Sequence, residues 1–318
     1  MITKTSFVVF ALALTLNTVS AQEVKQYGQL KVTGTQLTDK HGKPVILRGM
    51  SFGWHNWWPR FYNQDAVKWL HRDWKCSVLR IAVGVEPHDA YLQNPAKAKE
   101  KIKAVVDQAL KEGIYVIIDW HSHTIQLNQA KAFFSEMATL YGKHPNVIYE
   151  IFNEPEKNTW PEIKAYSTEV ISAIRKIDKD NIILVGTPRW DQEIHIAADD
   201  PIQGQKNIMY TVHFYAATHG KWLRERSDYA LKKGLPIFIS ECAGMEASGN
   251  GPVNSTEWNE WMNWADKNKV SRVIWSISDK KETCSVLYPT ASSNGNWKDS
   301  DLTPWGTETR NMLRSYYK

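Results

Sequence analysis

The sequence of 318 residues predicts an α/β protein with a single-domain (β/α)8 TIM barrel. One observation behind this prediction is a regular alternation of apolar, β-prone runs with helix-like segments, which is typical of a parallel sheet covered by helices. A second is that polar residues suited to chemistry come at the C-terminal ends of these runs. In a barrel, those ends meet on the one face that carries active sites. A doubly wound sheet is the alternative, and it explains the second observation less well.

Eight apolar runs are the predicted barrel strands. Their Val, Ile, Leu and Phe residues follow one another with few interruptions, which indicates strands that are buried on both faces. The predicted strands cover residues 45–50, 78–83, 114–120, 147–153, 182–186, 208–214, 237–241 and 272–277.

Segments with helical periodicity separate the predicted strands. Residues 98–112 are an example, because their apolar side chains fall on one stripe of a helix. The other predicted helices of this kind cover residues 130–141, 161–177 and 256–267. Before the first barrel strand, residues 30–32 and 36–38 indicate a small N-terminal β-hairpin.

The first residues have the pattern of a secretory signal peptide. Lys4 gives a positive start, residues 7–16 form a short apolar run, and residues 19–21 are a cleavage site of small side chains. The apolar run is shorter than the roughly 20 residues that span a bilayer. We therefore expect a signal peptide at residues 1–21, a secreted, extracellular chain at residues 22–318, and no membrane-spanning segment.

Charge and aromatic content narrow the class of partner. The formal net charge of +5 is mild, and no run of Lys and Arg indicates a nucleic-acid track. The 15 Trp and 13 Tyr are many for this length. Such rings are common in sugar-binding grooves, where they stack on the apolar faces of pyranose units. The alternative is that barrel and helix packing accounts for much of this content.

The three cysteines leave two arrangements open, namely one disulfide with a free thiol, or no disulfide. Cys242 follows a predicted strand end, and Cys284 lies in a loop after the last predicted strand. We expect these two to pair and Cys76 to stay free.

Two predicted strands end in a glutamate. Glu154 follows the run at 147–153 and precedes Pro155, which cannot donate a ladder hydrogen bond and so should end the strand. Glu241 ends the run at 237–241. A strand end is a rigid mount for a reactive group. The pair is what a two-carboxylate hydrolase needs, although a surface glutamate before proline is the more ordinary interpretation of Glu154 alone.

The spacing of six segments resembles glycoside hydrolase family 5, and most closely its bacterial-type endo-β-1,4-glucanases (cellulases). These segments cover residues 47–51, 119–123, 147–155, 213–215, 240–241 and 275–280. The resemblance extends over essentially all of residues 22–318, which would form the catalytic domain. It implies a (β/α)8 barrel that hydrolyses internal bonds of cellulose and related β-glucans. It implies no cofactor and no metal, a β-1,4-glucan or cello-oligosaccharide as partner, and a monomer.

By this resemblance, Glu154 is the general acid/base and Glu241 the nucleophile of a retaining, double-displacement mechanism. Such a site needs its two carboxyl groups about 5–5.5 Å apart. The charge of Glu241 is then expected to raise the pKa of Glu154, so that Glu154 can protonate the leaving oxygen.

The resemblance also implies a set of substrate-binding residues. Arg80 would hydrogen-bond Glu241, the Tyr215 hydroxyl would lie near the same carboxylate, and Asn153 would bind the 2-hydroxyl of the attacked sugar. Trp275 would be the floor under that sugar. The remaining candidates are His121, His213, Lys280 and Glu282, together with Trp54 and Trp57 of the first loop. For each of them a structural role is the alternative: an ion pair, a turn, core packing or a solvated loop charge.

Two departures from the family pattern concern the walls of the groove. Glu241 is followed by Cys242, Ala243 and Gly244, where the family usually has Trp-Gly, and Gly53 stands where some members have His. Substrate preference therefore stays open, and a β-mannanase or a broad β-glucanase on the same framework is the main alternative.

Two further alternatives use the same residues differently. In a metal-dependent barrel hydrolase, His121 and His123 would be ligands, with His213 and Asp119 added. That His-x-His pair follows the third predicted strand, whereas barrel metal hydrolases have it on the first. A catalytically inactive carbohydrate-binding barrel would keep the aromatic groove and lose a carboxylate, but both carboxylates are present.

Overall fold

The computed structural model describes residues 23–317. Within this range, eight parallel strands form a closed barrel in chain order, and the last of them pairs with the first to close it. The predicted (β/α)8 fold is confirmed. The predicted signal peptide at residues 1–21 lies outside the described residues. The strands are β1 (Lys31–Thr33), β2 (Gln36–Thr38), β3 (Arg48–Phe52), β4 (Val78–Gly84), β5 (Tyr115–His121), β6 (Val147–Glu150), β7 (Ile182–Val185), β8 (Ile208–Tyr215), β9 (Ile237–Ala243) and β10 (Arg272–Ile277).

The barrel strands run in one direction, so their C-terminal ends share one rim. The longest register is between β4 and β5, where Val78 pairs with Tyr115 and, six residues on, Gly84 pairs with His121. The predicted hairpin is also present, because β1 and β2 pair antiparallel outside the barrel.

Helices cover the outside of the barrel and begin and end at recognisable caps. Asn63 starts one of them by accepting hydrogen bonds from the amides of Asp65 and Ala66. Gly113 ends another with a φ of 74°, a left-handed conformation that glycine adopts readily. No described helix is both long and apolar enough to span a bilayer. The helical segments are Glu23–Tyr27, Gln64–Arg72, Pro95–Glu112, Leu127–Tyr141, Trp160–Arg175, Pro188–Asp191, Ile194–Asp199, Lys221–Lys232, Ser255–Lys267 and Pro304–Ser315, with 3-10 turns at Pro59–Phe61 and Asp299–Asp301.

Two apolar clusters hold the layers together. The larger one lies between the barrel strands and the helices. The smaller one fills the N-terminal end of the barrel, where Leu30, Leu37, Val45 and Leu47 pack against inward-facing strand residues such as Ile117. The N-terminal hairpin and the segment after it therefore close the barrel at the end opposite the rim of C-terminal strand ends.

Two predicted strand boundaries need correction. The strand predicted at 45–50 begins only at Arg48, because Val45 and Leu47 belong to the cluster that closes the barrel. The strand predicted at 147–153 ends at Glu150. Beyond it, the chain still bonds to both neighbours, through Ile151 N to Leu184 O (3.1 Å) and Asn153 N to Trp120 O (3.1 Å). The segment that carries Glu154 is thus irregular, yet fixed by the barrel.

The expected Cys242–Cys284 disulfide is wrong, since all three cysteines are free and buried. Their sulfur atoms face different groups. Cys242 Sγ lies 3.3 Å from the carbonyl oxygen of Val273 on the next strand, whereas Cys284 Sγ lies 3.3 Å from a carboxylate oxygen of Glu282.

Candidate active site

Glu241 lies within β9 and is buried, with two hydrogen-bond donors on its carboxylate. Arg80 Nη1 donates to Oε2 at 3.0 Å, and the Tyr215 hydroxyl donates to Oε1 at 2.7 Å. Both contacts are those expected from the sequence. Both donors favour the ionised form of the Glu241 carboxylate.

Glu154 sits four residues past the end of β6, and its backbone amide is fixed by the carbonyl oxygen of Ser122 at 3.2 Å. Two imidazoles face its carboxylate. His213 Nδ1 lies 2.9 Å from Oε1, and His123 Nδ1 lies 3.8 Å from Oε2. One oxygen of Glu154 and one of Glu241 lie within 4.8 Å of each other. The two carboxylates therefore share one site at the rim of the barrel.

Arg80 connects this site to the barrel interior and is completely buried. Besides Glu241, its guanidinium binds Glu150 through Nε (2.7 Å) and Nη2 (3.2 Å), and Asn153 Oδ1 through Nη2 (2.6 Å). Asp119 Oδ2 lies 3.0 Å from Nη2. One guanidinium thus orients the carboxylate of Glu241 and the amide of Asn153 together.

The charges in the site act on one another. For Glu150, burial works against ionisation, but Arg80 outweighs it and lowers the pKa to about 2. Burial, followed by the negative charge of Glu154, raises the pKa of Glu241. Burial would also raise the pKa of Glu154, but the hydrogen bond and charge of His213 lower it. The expectation of a raised pKa for Glu154 is therefore wrong.

His213 is the reason for this difference. Burial disfavours its charged form, but Asp191, Glu150 and Glu154 raise the pKa of His213 well above its usual value. A proton is thus held by the imidazole, whose Nδ1 lies 2.9 Å from Glu154 Oε1.

Aromatic rings form a continuous surface beside the carboxylates. Trp275 stacks on His121 with ring centres 5.4 Å apart, and Trp54 meets the edge of His121 at 4.3 Å. Trp57 stacks on Trp54 at 4.6 Å, and Trp57 is 53% exposed. His121 is itself fixed through Nδ1 by Asp119 Oδ2 at 2.6 Å. This surface brings together four of the predicted substrate-binding residues.

Lys280 and Glu282 lie in the loop after β10, where they pair with each other at 2.5 Å. The Lys280 side chain is 58% exposed, whereas that of Glu282 is buried against Cys284 Sγ. Burial, followed by the charge of Glu282, raises the pKa of the Cys284 thiol, and the charge of Glu241 adds to this effect, so the loop lies near that carboxylate.

A cavity of about 540 Å³ opens next to Glu154. His213 and Tyr215 line it, as expected, and so do Trp190 and His219, which sequence reasoning missed. Its other lining residues are Gln192, Thr218, Ala247 and Ser248.

Three further residues of the site were missed or undervalued, namely Glu150, Asp191 and His123. The sequence does indicate a role for Glu150, because a single charged residue within an apolar strand must be paired when it is buried. It gives no such indication for Asp191, since that residue follows no predicted strand end.

The geometry does not favour the metal-hydrolase alternative. Among residues 23–317, the group of His, Cys, Asp and Glu side chains that brings its ligand atoms together is Glu154, His213 and Glu241. His121 and Asp119, two of the ligands that the alternative requires, are not part of this group.

A family model described as cellulase (glycosyl hydrolase family 5) matches residues 38–281. The chain belongs to glycosyl hydrolase family 5. An endoglucanase of Clostridium saccharobutylicum is 45% identical to this family 5 chain over 286 residues, which are 88% of the chain and 63% of that protein. The chain thus spans less than two thirds of that relative.

Solved structures of the family agree with the barrel. One from Cytophaga hutchinsonii has 47% identity and a TM-score of 0.90, covering 92% of this chain and 96% of that one. The catalytic domain of a Thermobifida fusca endoglucanase, in complex with cellotetraose, has 32% identity and a TM-score of 0.86, covering 92% and 99%.

Proposed function

We propose that this family 5 chain is a secreted, retaining endo-β-1,4-glucanase that acts as a monomer on cellulose and related β-glucans. Glu154 is its general acid/base and Glu241 its nucleophile. The observation that carries the proposal is the close approach of these carboxylates, whose oxygens lie within 4.8 Å of each other. That separation suits direct attack on the sugar, since an inverting enzyme keeps its carboxyl groups about 6.5–9.5 Å apart to admit a water.

The hydrogen bonds support a division of roles. Glu241, ionised and oriented by Arg80 and Tyr215, attacks the anomeric carbon and forms a glycosyl-enzyme. Glu154 gives a proton to the leaving oxygen and later removes one from the water that hydrolyses the intermediate.

The proton for the first step is already present in the site. His213 and Glu154 together hold one proton, which the raised pKa of His213 places on the imidazole. A bound sugar chain removes water from the cleft and so disfavours the separated charges of imidazolium and carboxylate. The proton then moves to Glu154, next to the glycosidic oxygen. Ser240 Oγ, 2.8 Å from Nε2, keeps the imidazole oriented.

The surfaces on either side of the carboxylates fit a β-1,4-glucan chain. On one side, Trp275 and the exposed face of Trp57 offer stacking platforms. On the other, the cavity beside Glu154 has Trp190, which is 40% exposed, in its wall. Asn153, oriented by Arg80, is placed to bind the 2-hydroxyl of the attacked sugar. The cellotetraose bound by the Thermobifida fusca relative is a ligand of this class.

Substitution of the carboxylates tests the proposal. We expect Glu154→Gln and Glu241→Gln to lower kcat on carboxymethylcellulose by at least about 10³-fold without unfolding the barrel. Glu169→Gln is the matched control, because Glu169 is on the outer face, paired with Lys131. A 2-deoxy-2-fluoro-cellobioside should label Glu241, and NMR of early products should show the β-anomer. Full turnover in either variant, or an α-anomer, would exclude the retaining mechanism with these roles.

Activity on carboxymethylcellulose, glucomannan, lichenan and xylan decides substrate preference. We expect the highest kcat/KM on β-1,4-glucans. A preference for glucomannan would instead support the β-mannanase alternative on the same two carboxylates.

A further inference from the structure

Asp191 is a buried carboxylate that the mechanism above does not use. It has no exposed surface, and its Oδ1 accepts a hydrogen bond from the Thr187 amide. Its Oδ2 has no hydrogen-bond partner. A buried carboxylate oxygen without compensation is costly, so a positive charge or a proton must be near it. The nearest candidate is His213 Nε2, at 3.4 Å.

The backbone around Asp191 is unusual in a way that serves this contact. Arg189, Trp190 and Asp191 have φ values of 54°, 54° and 61°, which places three consecutive non-glycine residues in the left-handed region. Such conformations are unfavourable for L-residues and cluster at functional sites. Here the turn directs Asp191 toward His213 and puts Trp190 in the wall of the cavity beside Glu154.

We propose that Asp191 is a positioning residue that keeps His213 and Glu154 in their singly protonated form up to alkaline pH. His213 lies between the two carboxylates. Its Nε2 faces Asp191 Oδ2, and its Nδ1 faces Glu154 Oε1. The inference rests on the proposed function, because it concerns the proton that Glu154 delivers.

The sign of the effect follows from charge. His213 and Glu154 lose their shared proton in one macroscopic step that belongs to the pair. A negative charge next to the imidazole favours the protonated pair, so it moves that step to higher pH. Burial raises the pKa of Asp191 as well. In the protonated imidazole, Nε2 faces Oδ2 of Asp191 and the Nδ1 proton faces Glu154.

Other charged groups near His213 also affect its protonation. Glu150 Oε1 lies 3.6 Å from Nε2. The further groups that interact with it are Asp119, His121, His219 and Glu241. Each of these has another partner or role, whereas the free oxygen of Asp191 has only His213.

Asp191→Asn tests the proposal, since the amide keeps the shape and the acceptor for Thr187 but removes the charge. We expect the alkaline limb of kcat/KM against pH to move down by about one pH unit or more. Asp178→Asn is the matched control, because Asp178 is equally buried but binds the Tyr149 hydroxyl away from the site. The control should leave both limbs in place. An unshifted alkaline limb in Asp191→Asn would overturn the proposal, whatever the change in kcat.

A second measurement does not depend on activity. In protein labelled with ¹⁵N-histidine, the ring nitrogens of His213, assigned by comparison with His213→Gln, should show an imidazolium at pH 8. In Asp191→Asn they should show a neutral ring. A neutral His213 in the unsubstituted protein at pH 8 would exclude the proposed role. Because this readout is independent of turnover, it separates failure of the inference from failure of the proposed function.

Discussion

Among single residues, Tyr215 shows how one hydroxyl group can affect the ionisation of a neighbouring carboxylate. It donates at 2.7 Å to Oε1 of Glu241, while Arg80 occupies Oε2. A hydrogen bond to a charged group contributes about 1.5–3 kcal/mol, and 1.36 kcal/mol corresponds to one pKa unit. The ionised form of Glu241 is therefore favoured by two donors of different kinds: the fixed positive charge of Arg80 and the neutral hydroxyl of Tyr215, which a substitution can remove.

Tyr215→Phe should move the acidic limb of kcat/KM to higher pH by about one unit. Burial and Glu154 already raise the pKa of Glu241, and Tyr215 opposes them, so its loss raises that pKa further. Glu241 then becomes ionised only at higher pH. The pH profile on a soluble cello-oligosaccharide measures this shift.

The control for Tyr215→Phe is Tyr166→Phe. The Tyr166 hydroxyl is also buried, but it donates to the carbonyl oxygen of Ile151. That change should cost about 1 kcal/mol of unfolding free energy and leave the acidic limb unmoved. An acidic limb that moves equally in both variants would contradict a specific effect on Glu241.

At the scale of elements, the two-residue period of the barrel strands explains why the site has its composition. Along β8, Met209 packs in the cluster inside the barrel, whereas Tyr210 and Val212 pack against the helices. His213, two residues beyond Thr211, then faces inward at the rim. On β5, the inward-facing residue after Ile117 is Asp119, which pairs with Arg80. The buried charges inside the barrel therefore begin directly above its apolar cluster.

The two-residue period accounts for much of what could be predicted from the sequence, and other features account for what could not. Strand positions follow from apolar, β-branched runs, and Glu241 follows from its place at the end of one. Glu150, two residues after inward-facing Ile148, was open to the same argument but was overlooked. Trp190 and Asp191 were not predictable, because positive φ is uncommon outside glycine and no local pattern indicates it. The Cys242–Cys284 prediction failed because proximity to strand ends does not fix which way a side chain points.

Packing between elements also positions the aromatic surface. A Cβ at Gly84, at the end of β4, would lie 2.6 Å from Asn56 Oδ1 and 2.8 Å from a ring carbon of Trp54. Trp54 in turn supports Trp57 by stacking. The glycine therefore allows the first loop to lie directly on the barrel rim.

Gly84→Ala should raise KM for cello-oligosaccharides several-fold while changing kcat less. The added methyl group displaces Trp54 and disturbs the platform that Trp57 offers, but it does not touch Glu154 or Glu241. Steady-state kinetics on cellotetraose and cellohexaose measure both constants. Gly34→Ala, in the hairpin, is the control: it has open space and a φ of +58°, so it should cost about 1 kcal/mol of stability and leave KM unchanged. An unchanged KM in Gly84→Ala would contradict the platform role.

For the whole molecule, stability and chemistry are divided between the two ends of the barrel. The N-terminal end is closed by an apolar cluster to which the hairpin contributes Leu37. Hydrogen bonds from the same region tie it to the barrel, including Tyr115 Oη to Gly28 O at 2.7 Å and Val32 N to Asn207 Oδ1 at 3.1 Å. The C-terminal end holds the charges that are costly to bury. The division matches the general behaviour of barrels, in which the bottom face contributes stability and the top face function.

Leu37→Ala should therefore lower the free energy of unfolding by about 2–5 kcal/mol and leave kcat/KM unchanged under conditions where the variant is folded. The side chain is buried against the barrel interior, so its removal leaves a cavity, yet the carboxylates lie at the opposite end. Urea unfolding and kinetics on one soluble substrate measure the two quantities. Leu140→Ala is the control, because Leu140 is 55% exposed and its loss should change stability by less than about 0.5 kcal/mol. If Leu37→Ala lowered kcat/KM as much as stability, the two ends would be coupled, and the hairpin would have to be counted among the elements that shape the site.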